Sequence, residues 1–341
     1  MEEHWKLERS FRRALQSGEL SLEYQPYFDL PTGKGRGAEA LARWQLASGE
    51  CVAPSVFIPM AERTGRIHAM GAWALKAACE TAQGWSNAST GRMILSVNVS
   101  ALQVNRQFSA VISECLRGAA FPPAQLELEI TESVFLHNTE LSIACLEDWK
   151  NIGVHIALDD FGTGYSNLAY LCRLPIDRLK IDQSLIQHLG IDKRSAIVLR
   201  SIIGLGADLG LNVIAEGVET HLQLRILTDL GCPQAQGFLL ARPVRAPLVH
   251  AILRKPWGIC RTPGLDRPNP AAANPPALRA TSLTKILGRK EAKPIPTQRA
   301  EPRLPSSHPS NDCGSDSIGN LTDRGLPDVV LGKRKPAVAL N

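Results

Sequence analysis

The stretch Leu146-Glu-Asp-Trp-Lys-Asn-Ile152, Gly153, Val154-His-Ile-Ala-Leu-Asp159-Asp160 is the clearest indication of the fold. Its first part has helical periodicity, the glycine is typical of a helix C-terminus, and the last part is an apolar strand that ends in two acids. The same order of helix, glycine and strand recurs around Gly210 and Gly231. Helices that alternate with strands in this way predict βαβ units and a largely parallel sheet.

On both sides of this unit, the apolar patterns continue and predict eight strands in all. They are predicted at residues 20–28, 37–41, 93–98, 125–130, 154–160, 178–182, 211–216 and 234–240. Eight strands with intervening helices in about 250 residues are typical of an α/β, TIM-like (β/α)8 barrel. An open doubly wound sheet is the alternative that the pattern leaves open.

The composition divides the chain near residue 254. The last 87 of the 341 residues, from Lys255, hold 14 Lys and Arg, 7 Asp and Glu, and 13 of the 23 prolines. A proline-rich segment with few apolar residues cannot bury enough surface to offset its chain entropy. We therefore predict a barrel over residues 1–254 and a disordered basic tail over 255–341. The tail therefore carries a net charge of +7 and residues 1–254 carry −2, so the excess of positive charge belongs to the tail. We expect no DNA or RNA polymer as a partner.

Neither a membrane segment nor a secretion signal is evident. The most apolar stretch, residues 196–215, contains Arg200 and Asp208, and the first residues after Met1 are highly charged. The eight cysteines are widely spaced and form no C-x-x-C pair, which favours free thiols in a reducing compartment. We expect a cytoplasmic protein without a membrane span.

The predicted strands end in an unusual concentration of polar residues. Catalytic groups of such barrels lie at the C-terminal ends of the strands. Four acids directed at one mouth would repel each other strongly, so either their pKa values rise or cations bind between them. Oxygen ligands without histidine or cysteine suit Mg²⁺ or Mn²⁺ better than zinc. The residues at these strand ends are Glu39, Asn98, Glu129, Asp159, Lys180, Glu216 and Gln236.

Two of these positions allow more than one interpretation. Asp159 and Asp160 can hold two ions with one carboxylate bridging, although an Asp pair can also simply begin a loop or cap a helix. Lys180 can orient a nucleophile near a metal, or it can form a structural salt bridge to Asp182 or another acid. A glycosidase would also use two carboxylates in a barrel mouth. The scarcity of aromatic residues and the number of acids favour two-metal phosphodiester hydrolysis.

Nine ordered motifs between about Leu20 and Arg254 carry a family resemblance. The chain resembles the EAL-domain family, the cyclic-di-GMP-specific phosphodiesterases of bacteria. Two departures, Asn167 and Leu240-Ala-Arg-Pro243, remove no expected ligand. The motifs are Tyr24-Gln-Pro26, Glu39-Ala-Leu-Ala-Arg-Trp44, Phe57-Ile-Pro59, Asn98-Val-Ser100, Glu129-Ile-Thr-Glu-Ser133, Asp159-Asp-Phe-Gly-Thr-Gly-Tyr-Ser166, Lys180-Ile-Asp182, Ala215-Glu-Gly-Val-Glu-Thr220 and Gln236-Gly237.

The resemblance implies a barrel with one antiparallel strand and hydrolysis of cyclic-di-GMP to linear pGpG with two Mg²⁺ or Mn²⁺ ions. Glu39, Asn98, Glu129 and Asp159 match the first metal site, and Asp159 and Asp160 match the bridging and second-metal positions. Lys180 and Glu216 match residues that contact the catalytic water and the second metal. Together with Glu39 they are the expected catalytic residues. Because the larger Ca²⁺ ion takes more ligands at longer distances, we expect it to allow binding and to block cleavage.

The remaining matches concern the substrate and the supports of the site. Gln25 and Arg43 match substrate-contacting positions, and Gln236 matches a glutamine that lines the site. Glu132, Asp182 and Glu219 are expected to support the site and the glycine loop at 159–168, which lies near a common dimer contact of the family. A homodimer and a protein partner that binds the tail stay open. The alternative function is a catalytically silent cyclic-di-GMP-binding regulator or a protein-interaction module.

Overall fold

The computed structural model describes residues 2–85, 92–135, 139–162 and 171–257. The predicted tail therefore lies almost entirely outside the described residues, and so does most of the glycine loop. In the described part of the chain, no helix is both long and apolar enough to cross a bilayer. The six cysteines described there are all free thiols, as expected.

A closed barrel of eight strands forms the centre of the fold. Each predicted strand is present, and the ends of most differ from the prediction by a few residues. The barrel strands are β1 (Leu20–Asp29), β2 (Gly35–Gln45), β4 (Ile94–Asn98), β5 (Leu126–Thr131), β6 (His155–Phe161), β7 (Arg178–Ile181), β8 (Asn212–Ala215) and β9 (Gln234–Gln236).

Strand β1 closes the barrel and is antiparallel to both of its neighbours. It pairs with β2 along nearly its whole length and with β9 at Tyr27–Asp29, whereas β2 and β4 to β9 pair in parallel. The barrel with one antiparallel strand is thus confirmed, and the open doubly wound sheet is wrong. The sheet is closed because β1 pairs with both β2 and β9. Strand β1 is antiparallel because it forms a hairpin with β2, and the first strand of a hairpin must run against the second.

The β1–β2 hairpin extends beyond the barrel at the end where the parallel strands terminate. Two short strands pair with this extension: β3 (Cys51–Val52) with the end of β2, and β10 (Val244–Arg245) with Glu23 and Tyr24 of β1. The hairpin therefore forms a wall on one side of the barrel mouth.

Helices cover the outside of the barrel, and the helix–glycine–strand units occur as predicted. Gly153, Gly210 and Gly231 all have positive φ values after their helices, which is the conformation of a glycine C-cap. The helices within the described residues are α1 (Glu2–Ser17), α2 (Pro54–Arg63), α3 (Ile67–Ala82), α4 (Arg106–Gly118), α5 (Thr139–Ile152), α6 (Gln183–Gln187), α7 (Lys193–Asp208), α8 (His221–Asp229) and α9 (Ala246–Arg254).

Two apolar clusters hold the elements together. The larger one lies between the barrel and its surrounding helices. The smaller one joins α1, α2 and the extended end of β2 through Phe11, Trp44 and Phe57, whose rings lie 5.1–6.1 Å apart. Trp44 meets both phenylalanine rings edge to face, and the two phenylalanines are stacked; such contacts add to the energy of apolar burial. No local sequence pattern predicted this second core.

The chain keeps contact with the barrel for three residues beyond the end of its last helix. Helix α9 ends at Arg254, and the chain continues in contact with the barrel to Trp257. The Trp257 amide donates a hydrogen bond of 2.6 Å to the Gly33 carbonyl, and its side chain packs on the larger core. A folded unit that ends at residue 254 would lack this contact.

Two strand predictions need correction. Strand β9 stops at Gln236, and residues 237–240 form a turn that packs on the segment after β8, where Leu239 donates to the Val218 carbonyl. The interpretation of Asp160 as the start of a loop is wrong, because it lies within β6, which continues to Phe161; it stands at a register irregularity with β7, with φ +56°. Asp is one of the few residue types that adopt this left-handed conformation readily.

A polar cluster lies at the N-terminal ends of β6 and β7, away from the mouth. Asp177 accepts hydrogen bonds from Lys150 at 2.6 and 2.7 Å and from the Ile156 amide at 2.8 Å, and His155 lies 3.5 Å away. Burial alone would raise the pKa of Asp177, but His155, Lys150 and the Ile156 amide lower it to about 2. The ionised carboxylate thus ties α5 to two strands.

We expect Asp177→Asn to lower the free energy of unfolding by about 1–3 kcal/mol at pH 7, because hydrogen bonds to a charged group are lost. The folded pKa lies below the unfolded one. This contribution is therefore complete above about pH 4 and is lost as the pH falls towards 2. Urea unfolding of both proteins from pH 7 to pH 3 checks it. A difference that stays constant over that range would contradict the assigned pKa shift.

Candidate active site

The predicted polar residues form one cluster inside the barrel, near its mouth, in which Asn98 is exposed, Glu216 is partly buried and the others are buried. Side chains alternate between the two faces of a strand. The inward face carries the polar residues, whereas their neighbours Ala40, Val97, Leu128 and Leu179 face the helices. Alternation explains why Glu39, Glu129 and Lys180 stand between apolar residues in the sequence.

Lys180 is the centre of this cluster. Its ammonium group lies 2.6 Å from Glu129, 2.7 Å from Glu216, 3.1 Å from Asp159 and 3.7 Å from Glu39, and only 1% of its side chain is exposed. Burial would lower the pKa of Lys180, but these carboxylates raise it well above its usual value. Lys180 is therefore a permanent cation. The salt-bridge interpretation of Lys180 is thus observed with these four acids and not with Asp182, which caps α6 by accepting from the Ser184 amide. The role of Lys180 in orienting a nucleophile stays a prediction.

Glu39 is held by amide donors as well as by Lys180. Asn98 Nδ2 donates to one carboxylate oxygen at 2.6 Å, and Gln236 Nε2 donates to the other at 2.8 Å. Burial would raise the pKa of Glu39, but Lys180 and the two amides lower it. Glu39 is therefore ionised at neutral pH. It lies in the middle of β2 and not at a strand end as predicted, because β2 continues into the wall above the mouth.

If all of them were ionised, the other carboxylates would carry more negative charge than Lys180 can balance. Burial raises the pKa of Glu129 and Glu216 well above the usual value, and nearby Glu39 and Asp159 add to this effect. For Asp160, burial and the charge of Asp159 raise the pKa to about 6. The cluster thus has an excess of carboxylate oxygens in a buried environment, where additional positive charge is favourable.

The carboxylates converge on the ammonium group of Lys180. Among the residues that the structure describes, no three acidic, histidine or cysteine side chains are already arranged around a common point for an ion. The chemistry of the donor set nevertheless fits hard cations, because it offers carboxylate oxygens and the Asn98 amide group without any sulfur or imidazole. One buried oxygen, Glu216 Oε1, has an ionic contact with Lys180 but no directed hydrogen bond.

Gln25 and Gln236 form the side of the site next to the hairpin. Gln236 Nε2 also donates to Gln25 Oε1 at 3.2 Å, and Gln25 Nε2 donates to the Ala241 carbonyl at 3.2 Å. Both side chains are at least nine-tenths buried. The chain of amides links the turn after β9 to Glu39.

Arg43 lies on the same face of β2 as Glu39, four residues further towards the mouth. It is about one-third exposed and forms an ion pair of 2.8 Å with Glu23. Four residues of an extended strand correspond to about 13 Å. Arg43 therefore faces the entrance and not the cluster around Lys180.

Glu132, Asp182 and Glu219 were expected to support the site and the glycine loop, and the structure shows part of their contacts. Glu132 lies in the short 3-10 helix after β5, and the Glu219 amide donates to Gln223 Oε1 just before α8. Asp182 is the N-cap of α6 and contributes to the raised pKa of Asp160. The glycine loop that these residues were expected to support lies mostly outside the described residues.

The sequence interpretation missed a second polar layer beneath the cluster. Arg178 forms a buried ion pair of 3.1 Å with Glu127, Ser96 donates to Glu127 at 2.8 Å, and the Arg178 guanidinium lies 4.8 Å from the centre of the Tyr27 ring. Each of these residues stands two positions from a member of the upper cluster. The alternation that located Glu129 and Lys180 could also have located Glu127 and Arg178.

Comparisons with known proteins agree with this architecture. Residues 8–243 match the family model described as EAL domain. The chain is 41% identical over 249 residues to a bifunctional diguanylate cyclase/cyclic di-GMP phosphodiesterase, MucR of Pseudomonas aeruginosa, covering 72% of this chain and 36% of that protein. It is 36% identical over 252 residues to the cyclic di-GMP phosphodiesterase NbdA of the same species, covering 73% and 32%. The chain thus spans about a third of the length of these relatives.

Solved structures show the same similarity. A P. aeruginosa MucR phosphodiesterase in complex with c-di-GMP superposes with a TM-score of 0.68 at 40% identity, over 71% of this chain and 98% of that one. The EAL domain of Mycobacterium smegmatis DcpA gives a TM-score of 0.59 at 35% identity, over 71% and 99%.

Proposed function

The chain belongs to the EAL domain family, and on this basis we propose that it hydrolyses cyclic-di-GMP to linear pGpG with the help of two Mg²⁺ or Mn²⁺ ions. The observation that carries the proposal is the cluster around Lys180, in which one ammonium group contacts carboxylates from β2, β5, β6 and the end of β8. Every metal-ligand position that the family resemblance predicts is occupied by a suitable side chain. The catalytically silent alternative has no such support.

The donor set indicates which residues would hold the ions. Glu39, Asn98, Glu129 and Asp159 would bind the first ion, and Asp159, Asp160 and Glu216 the second. Bound divalent ions supply positive charge to phosphate oxygens and lower the pKa of a coordinated water.

The side chains themselves would perform the remaining tasks. Lys180 stays protonated and is surrounded by carboxylates, so it can donate a hydrogen bond to an attacking or departing oxygen but cannot act as a general base. Asn98 and Gln236 fix both oxygens of Glu39, which keeps that ligand in one orientation. Arg43 at the entrance can attract the anionic substrate.

Several finer predictions accompany this proposal. We propose a cytoplasmic enzyme with a barrel over residues 1–254 and a separate tail over 255–341, since widely spaced free cysteines suit a reducing compartment. A homodimer through the glycine loop and a protein partner of the tail would be additional levels of control. Their tests are the oligomeric state in solution and co-purification with the tail present or deleted.

The choice of metal ion tests the proposed function. We expect hydrolysis with Mg²⁺ or Mn²⁺, and binding without hydrolysis with Ca²⁺, because the larger ion takes more ligands at about 2.3–2.6 Å and misplaces the reacting oxygens. Binding by calorimetry and product by chromatography are measured in parallel under each ion, with EDTA as the control. Binding without product under every ion would favour the receptor, and equal turnover with Ca²⁺ would refute the size argument.

A further inference from the structure

A row of three charged residues crosses the wall above the mouth. Glu23 on β1 lies directly opposite Arg245 on β10, and Arg43 on β2 lies opposite Ser21, two residues from Glu23. Directly opposed residues of an antiparallel pair share one face of the sheet. Glu23 is on the same face of β1 as Gln25, so the row Arg43, Glu23 and Arg245, here called the arginine ledge, is on the face that continues into the site.

Glu23 holds the guanidinium group of Arg43 in place. The Nε atom of Arg43 donates to Glu23 Oε2 at 2.8 Å, and its Nη1 atom donates to the Ala42 carbonyl at 3.1 Å. These two contacts fix the plane of the group. Within the described residues, Nη2 has no hydrogen-bond partner, and both side chains are about one-third exposed. A fixed guanidinium with an open edge suits an anionic ligand.

Arg245 adds a second guanidinium to the same row. Its backbone is anchored twice, by pairing with Glu23 and as the N-cap residue of α9. The residue is exposed, and no ion pair of its side chain is observed in the described part of the chain. One carboxylate between two guanidinium groups leaves the ledge with a net positive charge beside a cluster rich in carboxylates.

We propose that the arginine ledge binds the phosphodiester group of the dinucleotide that is not being cleaved. In this arrangement Arg245 is a second phosphate-binding residue and Glu23 is a positioning residue for Arg43. The inference rests on the proposed function, because cyclic-di-GMP has two phosphodiester groups and the cluster around Lys180 can process only one at a time. The second phosphate needs a donor outside the acidic cluster, since bare carboxylates repel it.

Three variants and one control test this ledge. Arg245→Gln should raise both the KM and the Kd for cyclic-di-GMP about 3–10-fold, with kcat within a factor of two, because one charged contact to phosphate is lost. Glu23→Ala should have a similar effect. Glu23→Gln keeps an oxygen acceptor for Arg43 Nε and should restore most of the binding. The matched control is Arg36→Gln, since Arg36 pairs with Asp29 at 3.0 Å at the other end of the same hairpin.

The two measurements separate failure of the ledge from failure of the proposed function. KM and kcat are measured with Mg²⁺, and Kd is measured with Ca²⁺. If Arg245→Gln and Glu23→Ala both leave KM and Kd within a factor of two of the unmodified protein, the ledge is refuted and the hydrolase stands. If the unmodified protein binds without turnover, the hydrolase is refuted and the Kd ratios still decide on the ledge. If it neither binds nor turns over cyclic-di-GMP, both proposals are wrong.

Discussion

Turnover of cyclic-di-GMP should fall at least about a hundred-fold when Lys180 is replaced by methionine. The methionine side chain has a similar length and is apolar, so it fills the space and removes only the charge and the hydrogen-bond donors. Loss of one donor to a developing oxyanion in a buried site costs about a hundred- to a thousand-fold in kcat. Because the proposed role concerns the reacting oxygens, the loss should appear in kcat, with KM changed only a few-fold.

The same variant makes a second measurement possible. Without the ammonium group, carboxylates that now lie 2.6–3.7 Å from Nζ face each other with no cation between them. The variant should therefore unfold at a lower temperature than the unmodified protein in EDTA, and millimolar Mg²⁺ should recover more of that loss than it adds to the unmodified protein. Lys76→Met is the control, because Lys76 is exposed and its one ion pair, to Glu80, is a surface contact as long as 3.9 Å within the described residues. Near-normal kcat in the folded Lys180 variant would refute the assigned role.

Replacing Gly237 with alanine should lower the free energy of unfolding by about 2–3 kcal/mol and also impair catalysis. A β-carbon at this position would lie 2.2 Å from both the amide nitrogen and the carbonyl oxygen of Val218. Neither backbone atom can move without displacing the turn that follows Glu216, and overpacking of this kind costs up to about 3 kcal/mol. Gln236 directly precedes Gly237, and Glu216 lies two residues before Val218. Both of these site residues should therefore shift.

Thermal unfolding and steady-state kinetics check this prediction. We expect a decrease in Tm of roughly 5–10 °C. Gly204→Ala is the matched control, because Gly204 is exposed within α7 and nothing lies within 4 Å of the place that a β-carbon would take there. That substitution should raise stability by about 0.5–1 kcal/mol, since alanine is the better helix former. If the two variants behave alike, the close contact between the turns after β8 and β9 is not present in solution.

Much of the site could be predicted from local patterns. Glu129 in Leu-Glu-Leu-Glu and Lys180 in Arg-Leu-Lys-Ile stand at alternate positions of apolar strands, and alternation alone places them inside the barrel. Strand ends were less predictable. Glu39 was expected at a strand end because the prediction stopped at residue 41, whereas pairing with β1 and β3 continues β2 to Gln45. Such pairing partners are distant in sequence and leave no local signal.

Local sequence patterns were sufficient to identify the eight strands, the helix–glycine units and the acidic residues, because periodicity, glycine caps and apolar runs are properties of short segments. Which of these residues meet was visible only in the folded chain. The contact of Lys180 with four carboxylates and the row formed by Arg43, Glu23 and Arg245 depend on the register between strands from separate parts of the chain. Register is set by the closure of the barrel and the packing of its helices, since a shift of one residue would turn every side chain of a strand to the opposite face.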